Sequence, residues 1–189
     1  MKTQAKILTI EDEPPIRSGI VTYLEDSGFT MLEANDGPSG LEIFRREHPD
    51  VVLCDLRLPG MDGLEVLSTI TAESPETPVI IVSGVSLLVY AVQALKRGAW
   101  DYVTKPIHDM AVLESAVRRV LEHADLLRQN REYRENLERL NLELTETMSQ
   151  LQEDEEAGRK IQFQLLPEDN TGFGEYTFRR ELYPSMYLS

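Results

Sequence analysis

Between Lys6 and Pro106, short apolar runs alternate with stretches whose apolar residues recur at helical spacing. The runs are Lys6–Ile10, Met31–Ala34, Val51–Cys54, Val79–Val82 and Tyr102–Val103. Each is short, partly β-branched or aromatic, and flanked by Gly, Pro, Asp or Asn, which predicts five strands. Val51-Val52-Leu53-Cys54 and Val79-Ile80-Ile81-Val82 are apolar throughout instead of alternating. Such strands are covered on both faces, as in a parallel sheet between helices. Helical spacing links Ile16, Ile20, Tyr23 and Leu24 after Pro14-Pro15, and Leu41, Ile43 and Phe44 after Asp36, a candidate N-cap. It also links Leu64, Leu67 and Ile70 after Gly63, and Leu88, Val92 and Leu95 before Gly98. This alternation predicts an α/β fold with a doubly wound, five-stranded parallel sheet.

The pattern changes at Ile107. No Gly or Pro occurs from Ile107 through Ala157, and Glu, Arg, Leu and Asn dominate. A stretch of that length permits one continuous helix of roughly 75 Å. Its first part, with Leu113, Val117, Val120 and Leu121, can pack on the sheet, while the later part outruns the domain. Leu137, Leu144 and Leu151 are a heptad apart, with Leu140 and Met148 between them, so a coiled-coil seam with a second copy of the chain is expected. The alternative is a solvated helix folded back on its own domain. Glu135 and Arg139, four apart, support the helix. Counted from Leu127, the seam falls out of step with Leu137, and a stutter is expected across Arg128–Arg134.

The whole chain is 189 residues, with 19 Lys and Arg against 33 Asp and Glu, for a net charge of −14. That balance argues against nucleic-acid binding, and it leaves room for one ordinary domain plus a remainder. The single cysteine, Cys54, excludes an internal disulfide and a multi-cysteine zinc site, and its place in an apolar run makes it inert core. No run is long and apolar enough to span a bilayer, and no secretory core is present, so a cytoplasmic location and no membrane partner are expected.

The candidate chemistry lies at the ends of the predicted strands, where open α/β sheets bind ligands. Glu11 and Asp12 follow the first strand, Asp55 the third and Ser83 the fourth; Lys105, followed by Pro106, stands just past the fifth. Converging carboxylates repel one another unless a cation intervenes, and an all-oxygen donor set suits Mg²⁺. Asp55 is the best candidate nucleophile toward phosphorus, with Lys105 and Ser83 as partners for phosphoryl oxygens. Any of these residues alone reads as a cap or a loop; the joint pattern reads as a site. Asp62, before Gly63, reads as a turn residue, and His48, His108 and His123 as surface residues.

Ile7-Leu8-Thr9-Ile10-Glu11-Asp12-Glu13, Asp55 through Gly63, Ser83-Gly84 and Lys105-Pro106 together resemble the receiver domain of two-component response regulators, over residues 5–123. The resemblance implies a phosphorelay protein that takes a phosphoryl group from a sensor histidine kinase or phosphotransfer protein. It makes Asp55 the phosphoacceptor and Glu11 and Asp12 the acidic pair for Mg²⁺. Arg57 becomes a metal ligand through its backbone carbonyl, Ser83 the switch hydroxyl, Lys105 the phosphate-binding lysine and Tyr102 the switching aromatic. It further implies a cis Lys105–Pro106 bond, and a domain that catalyses both its own phosphorylation and the hydrolysis of the product. Glu11 stands where Asp is more frequent, Ser83 where Thr is commoner and Gly84 where Ala is commoner, and Arg57 adds a long cation near the pocket. Phosphorylation is expected to alter the packing or pairing of the long helices.

Residues 124–160 are expected to form the coiled-coil linker. Residues 161–189 form either a disordered tail or the start of an output domain. Ala157 through Pro167 resembles the beginning of PP2C-like serine/threonine phosphatase domains, and the metal-binding Gly-Asp of that family does not follow Tyr183–Ser189. On that resemblance the chain is expected to be a fragment, related to regulators that act on a sigma factor or in partner switching. The alternatives are a constitutively dimeric adaptor or anti-sigma-type scaffold, and a transcriptional regulator without its DNA-binding domain.

Overall fold

A computed structural model describes residues 4–84, 88–165, 171–173 and 176–178. Its core is a parallel sheet of β1 (Lys6–Ile10), β2 (Thr30–Ala34), β3 (Val51–Asp55), β4 (Val79–Gly84) and β5 (Asp101–Lys105), in the order β2-β1-β3-β4-β5. The strand order reverses between β1 and β3, so the carboxyl ends of those strands border the crevice where such sheets hold ligands. β3 is buried along its whole length, as its unbroken apolarity predicts. β4 and β5 run two residues beyond the apolar runs that predict them, which places Ser83 and Lys105 inside strands and in the ladder that joins them.

Helices α1 (Pro14–Asp26), α2 (Gly37–Glu47), α3 (Gly63–Glu73), α4 (Leu88–Lys96) and α5 (Met110–Leu165) connect and extend the strands. On one face of the sheet, Leu8, Val52 and Ile81 pack against Phe44 of α2 and Leu67 and Ile70 of α3. On the other, Ile7, Leu53 and Val82 pack against Ile20 and Leu24 of α1 and Leu113 and Val117 of α5. Asp36 caps α2: its carboxylate accepts from Ser39 N at 2.8 Å, which holds the carboxyl below the usual range.

Two helices carry details that spacing alone does not give. In α4, Val92 and Leu95 are 51% and 50% exposed, and the helix is buried through Ala91 and Ala94 instead. Alanines let the helix approach the sheet closely, so its larger apolar residues face outward. In α5, Gly158 does not end the helix, which continues to Leu165. One interior glycine costs only about 1 kcal/mol, and the Arg159–Glu155 pair at 2.8 Å spans it.

The chain divides into two compact units, Met1–Arg131 and Glu132–Ser189. The first extends past residue 123 and includes the pair of Arg131 with Glu76. In the second, β6 (Thr171–Phe173) and β7 (Tyr176–Phe178) form an antiparallel pair. The remaining residues on which the phosphatase-like resemblance rests, including Pro167 and Tyr183–Ser189, lie outside the described residues. Helix α5 is continuous across Arg128–Arg134. Leu137, Leu140, Leu144, Met148 and Leu151 are all exposed in the single chain.

Candidate functional site

Four chain segments, at the ends of β1, β3, β4 and β5, bring the predicted site residues together. Glu11 and Asp12 leave the end of β1 into the turn before α1. Arg17 holds this turn: its guanidinium donates to the backbone oxygens of Glu11 at 2.7 Å and Asp12 at 3.4 Å, and it pairs with Glu33 on β2. Sequence reasoning passes over Arg17. The only available signal is a cation one helical turn beyond an acidic pair.

Asp55 is the last residue of β3 and is buried. The chain then turns through Leu56–Asp62 into α3. Asp62 is the N-cap of that helix, accepting from Leu64 N at 3.0 Å, in keeping with a structural role. Gly63 is the second residue the sequence conceals. Its N–H donates to Leu56 O at 3.0 Å, and a Cβ at this position would stand 2.0 Å from Asp55 O. Only glycine lets the start of α3 pass this close to the backbone that carries Asp55.

Carboxylate oxygens of Glu11, Asp12 and Asp55 lie within 4.8 Å of one another. Lys105 Nζ stands between two of them, 2.6 Å from Asp55 Oδ2 and 2.6 Å from Glu11 Oε2. The longer arm of Glu11 thus reaches the lysine directly. Asp55 Oδ1 accepts from Arg57 N at 3.2 Å, and Glu11 Oε1 from Glu13 N at 3.3 Å. Burial, aided by the Asp55 charge, pushes the Glu11 carboxyl above its ordinary range although Lys105 pulls it down. Burial also opposes the charge on Lys105, but its hydrogen bonds to Asp55 and Glu11 outweigh this and raise its pKa.

Three carboxyl groups converge on one ammonium, which leaves the cluster short of positively charged partners. All its donors are oxygens, and Asp12 is exposed, so the cluster fits a hard divalent cation that keeps part of its water. Ser83 Oγ, on the neighbouring strand, is buried without a hydrogen-bond partner among the described residues. An orphaned buried hydroxyl costs about 1–3 kcal/mol, so an arriving acceptor would relieve it. Half-buried Tyr102 places its hydroxyl 3.5 Å from the carbonyl oxygens of both Ser83 and Gly84, beside the end of β4.

The Lys105–Pro106 bond is cis. Cys54 is buried, and its thiol is pushed up by that burial, as expected of an inert core residue. His48, His108 and His123 are exposed, and His123 tilts against Trp100 with 5.1 Å between ring centroids. No helix among the described residues is long and apolar enough to cross a membrane.

Residues 7–118 match the family model of the response regulator receiver domain. The chain is 43% identical over 121 residues to the transcriptional regulatory protein CseB of Streptomyces coelicolor, covering 64% of this chain and 51% of that one. It is 32% identical over 186 residues to the C4-dicarboxylate transport transcriptional regulatory protein DctD of Pseudomonas aeruginosa, covering 95% and 40%. The chain therefore spans about half the length, or less, of these curated relatives. Among solved structures it resembles a receiver domain protein of Clostridium thermocellum, with a TM-score of 0.63 and 35% identity over 65% of this chain and 98% of the other.

Proposed function

The chain belongs to the response regulator receiver family, and from that premise we propose that Asp55 accepts a phosphoryl group and thereby switches the domain. The observation that carries this reading is the Asp55 carboxylate, buried at a strand end, paired with Lys105 and flanked by Glu11 and Asp12. A histidine kinase or phosphotransfer protein supplies the phosphoryl group. An Asp55 oxygen attacks phosphorus, the bond to the leaving imidazole nitrogen breaks, and an acyl phosphate forms. Glu11, Asp12, Asp55 and the backbone carbonyl of Arg57 are the proposed ligands for Mg²⁺, which neutralises charge on the transferring group. Lys105 exchanges a carboxylate oxygen for a phosphoryl oxygen, and Ser83 Oγ gains the acceptor it lacks. Movement of Ser83 changes the space beside Tyr102, biasing two packings of the α4–β5 face.

The long helix begins five residues after Lys105, so we place its response downstream of that face. Residues 5–123 act as the switch and 124–160 as a linker through which two copies pair. The region from 161 onward is read as the start of an output module. The resemblance of residues 157–167 favours a PP2C-like module acting on a sigma factor or partner-switching protein. The names of CseB and DctD favour a transcriptional output instead. A cytoplasmic location accompanies either.

Beryllofluoride with Mg²⁺ tests the switch without a kinase. It is expected to raise the Tm of the wild type, and to shift its association or helix crosslinking, while leaving Asp55→Ala unmoved in both. Equal stabilisation of Asp55→Ala would refute Asp55 as the acceptor. An unchanged association in the stabilised wild type would refute the coupling to the linker.

A further inference from the structure

The seam on α5 keeps step further toward its N-terminus than a count from Leu127 allows. Leu126, Tyr133 and Leu140 are successive heptad positions, in the same frame as Leu137, Leu144 and Leu151. Leu126 is 57% and Tyr133 68% exposed, in a helix without a break. With Leu137 taken as an a position, Leu126, Tyr133, Leu140 and Thr147 occupy d, and Asn130 occupies the a position between the first two. The polar stretch that reads as a stutter is one polar layer inside a continuous frame.

In the first unit, α5 packs on the domain through Leu113, Ala116, Val117, Val120 and Leu121, and Arg131 reaches Glu76. That buried segment ends before Leu126, whose side chain is exposed.

Building on the dimer reading above, we propose that the seam pairs with a second copy as a parallel, in-register two-stranded coiled coil from Leu126 to Leu151, with the two Asn130 side chains facing each other. A single Asn at an a position fixes register and two-strand pairing, because each amide satisfies the other. An antiparallel pair instead sets a positions against d positions, so Asn130 meets leucine or tyrosine at most offsets.

The charge pattern selects a copy of the same chain as the occupant. Despite the acidic composition, most of the flanking e and g positions are uncharged, including Gln129, Asn136, Asn141 and Gln150. The cross-chain neighbours of a parallel pair are Gln129 with Arg134, Asn136 with Asn141, and Glu143 with Met148, and none brings like charges together. Glu132, Glu135, Glu138 and Glu146 fall on outward positions. Asp154 at d and Glu155 at e then close the seam after Leu151.

Cysteines introduced singly at Asn130, Leu151 and the outward Arg139 test this in the full chain under mild oxidation, with sedimentation giving the mass. Buried Cys54 leaves the wild type as the background. The expected result is a dimer in which Asn130→Cys and Leu151→Cys each crosslink as the main species, while Arg139→Cys stays at background. A dimer in which either seam variant fails to crosslink overturns the parallel register but leaves the dimer reading standing. A monomer overturns both.

Discussion

Gly63→Ala is expected to destabilise the receiver unit by about 3 kcal/mol or more, a fall of roughly 10 °C in Tm. The added Cβ would stand 2.0 Å from Asp55 O and 2.7 Å from Leu56 Cα, and both are backbone atoms that no rotamer change can move aside. The start of α3 must then back away from the end of β3. Because that backbone carries the Asp55 carboxylate, any variant that folds is expected to accept phosphate more slowly as well. Gly19→Ala is the control. Its Cβ would meet only the Met110 Cε at 3.7 Å, and as a helix-interior change it is expected to be neutral or to gain up to about 1 kcal/mol. Thermal unfolding of the two variants beside the wild type checks the contrast, and a Gly63→Ala Tm equal to that of the wild type would contradict it.

The second large effect is expected at Lys105. Its ammonium touches Asp55 and Glu11 at 2.6 Å each, and its side chain is 12% exposed. Lys105→Met keeps most of the stem and removes the charge, leaving buried carboxylates to face each other. Breaking a buried pair from one side costs on the order of 3 kcal/mol. In chelator the variant is therefore expected to unfold well before the wild type. Added Mg²⁺ is expected to restore more stability to the variant than it adds to the wild type, because the cation replaces a missing counter-charge. Urea unfolding with and without Mg²⁺ measures both quantities. Equal stability in chelator would show that Lys105 does not carry this charge balance.

These two residues show where reading the chain succeeds and where it stops. Asp55, Glu11, Asp12, Ser83 and Lys105 are readable because each closes a strand whose core is apolar, and a doubly wound sheet gathers such ends at one edge. Lys105 declares itself through its charge. Gly63 does not, because the approach of α3 to β3 is a tertiary distance and Asp-Gly reads equally well as an ordinary turn. Arg17 is hidden for a similar reason: its partners are backbone carbonyls, which carry no sequence signal.

Periodicity has its own blind side. The spacing of Leu88, Val92 and Leu95 correctly marks a helix, yet Val92 and Leu95 face outward while Ala91 and Ala94 are buried. An apolar stripe states that a helix has two faces, without stating which one its own domain covers. The same ambiguity affects α5, where the frame proposed for the exposed stripe depends on whether Leu126 or Leu127 is taken as the reference.

Incubation with acetyl phosphate and Mg²⁺, followed by intact-mass analysis, tests the central claim most directly. The wild type is expected to gain one phosphoryl group, in a linkage that hydroxylamine cleaves as it does an acyl phosphate, and Asp55→Ala is expected to gain none. Undiminished phosphorylation of Asp55→Ala would contradict the claim.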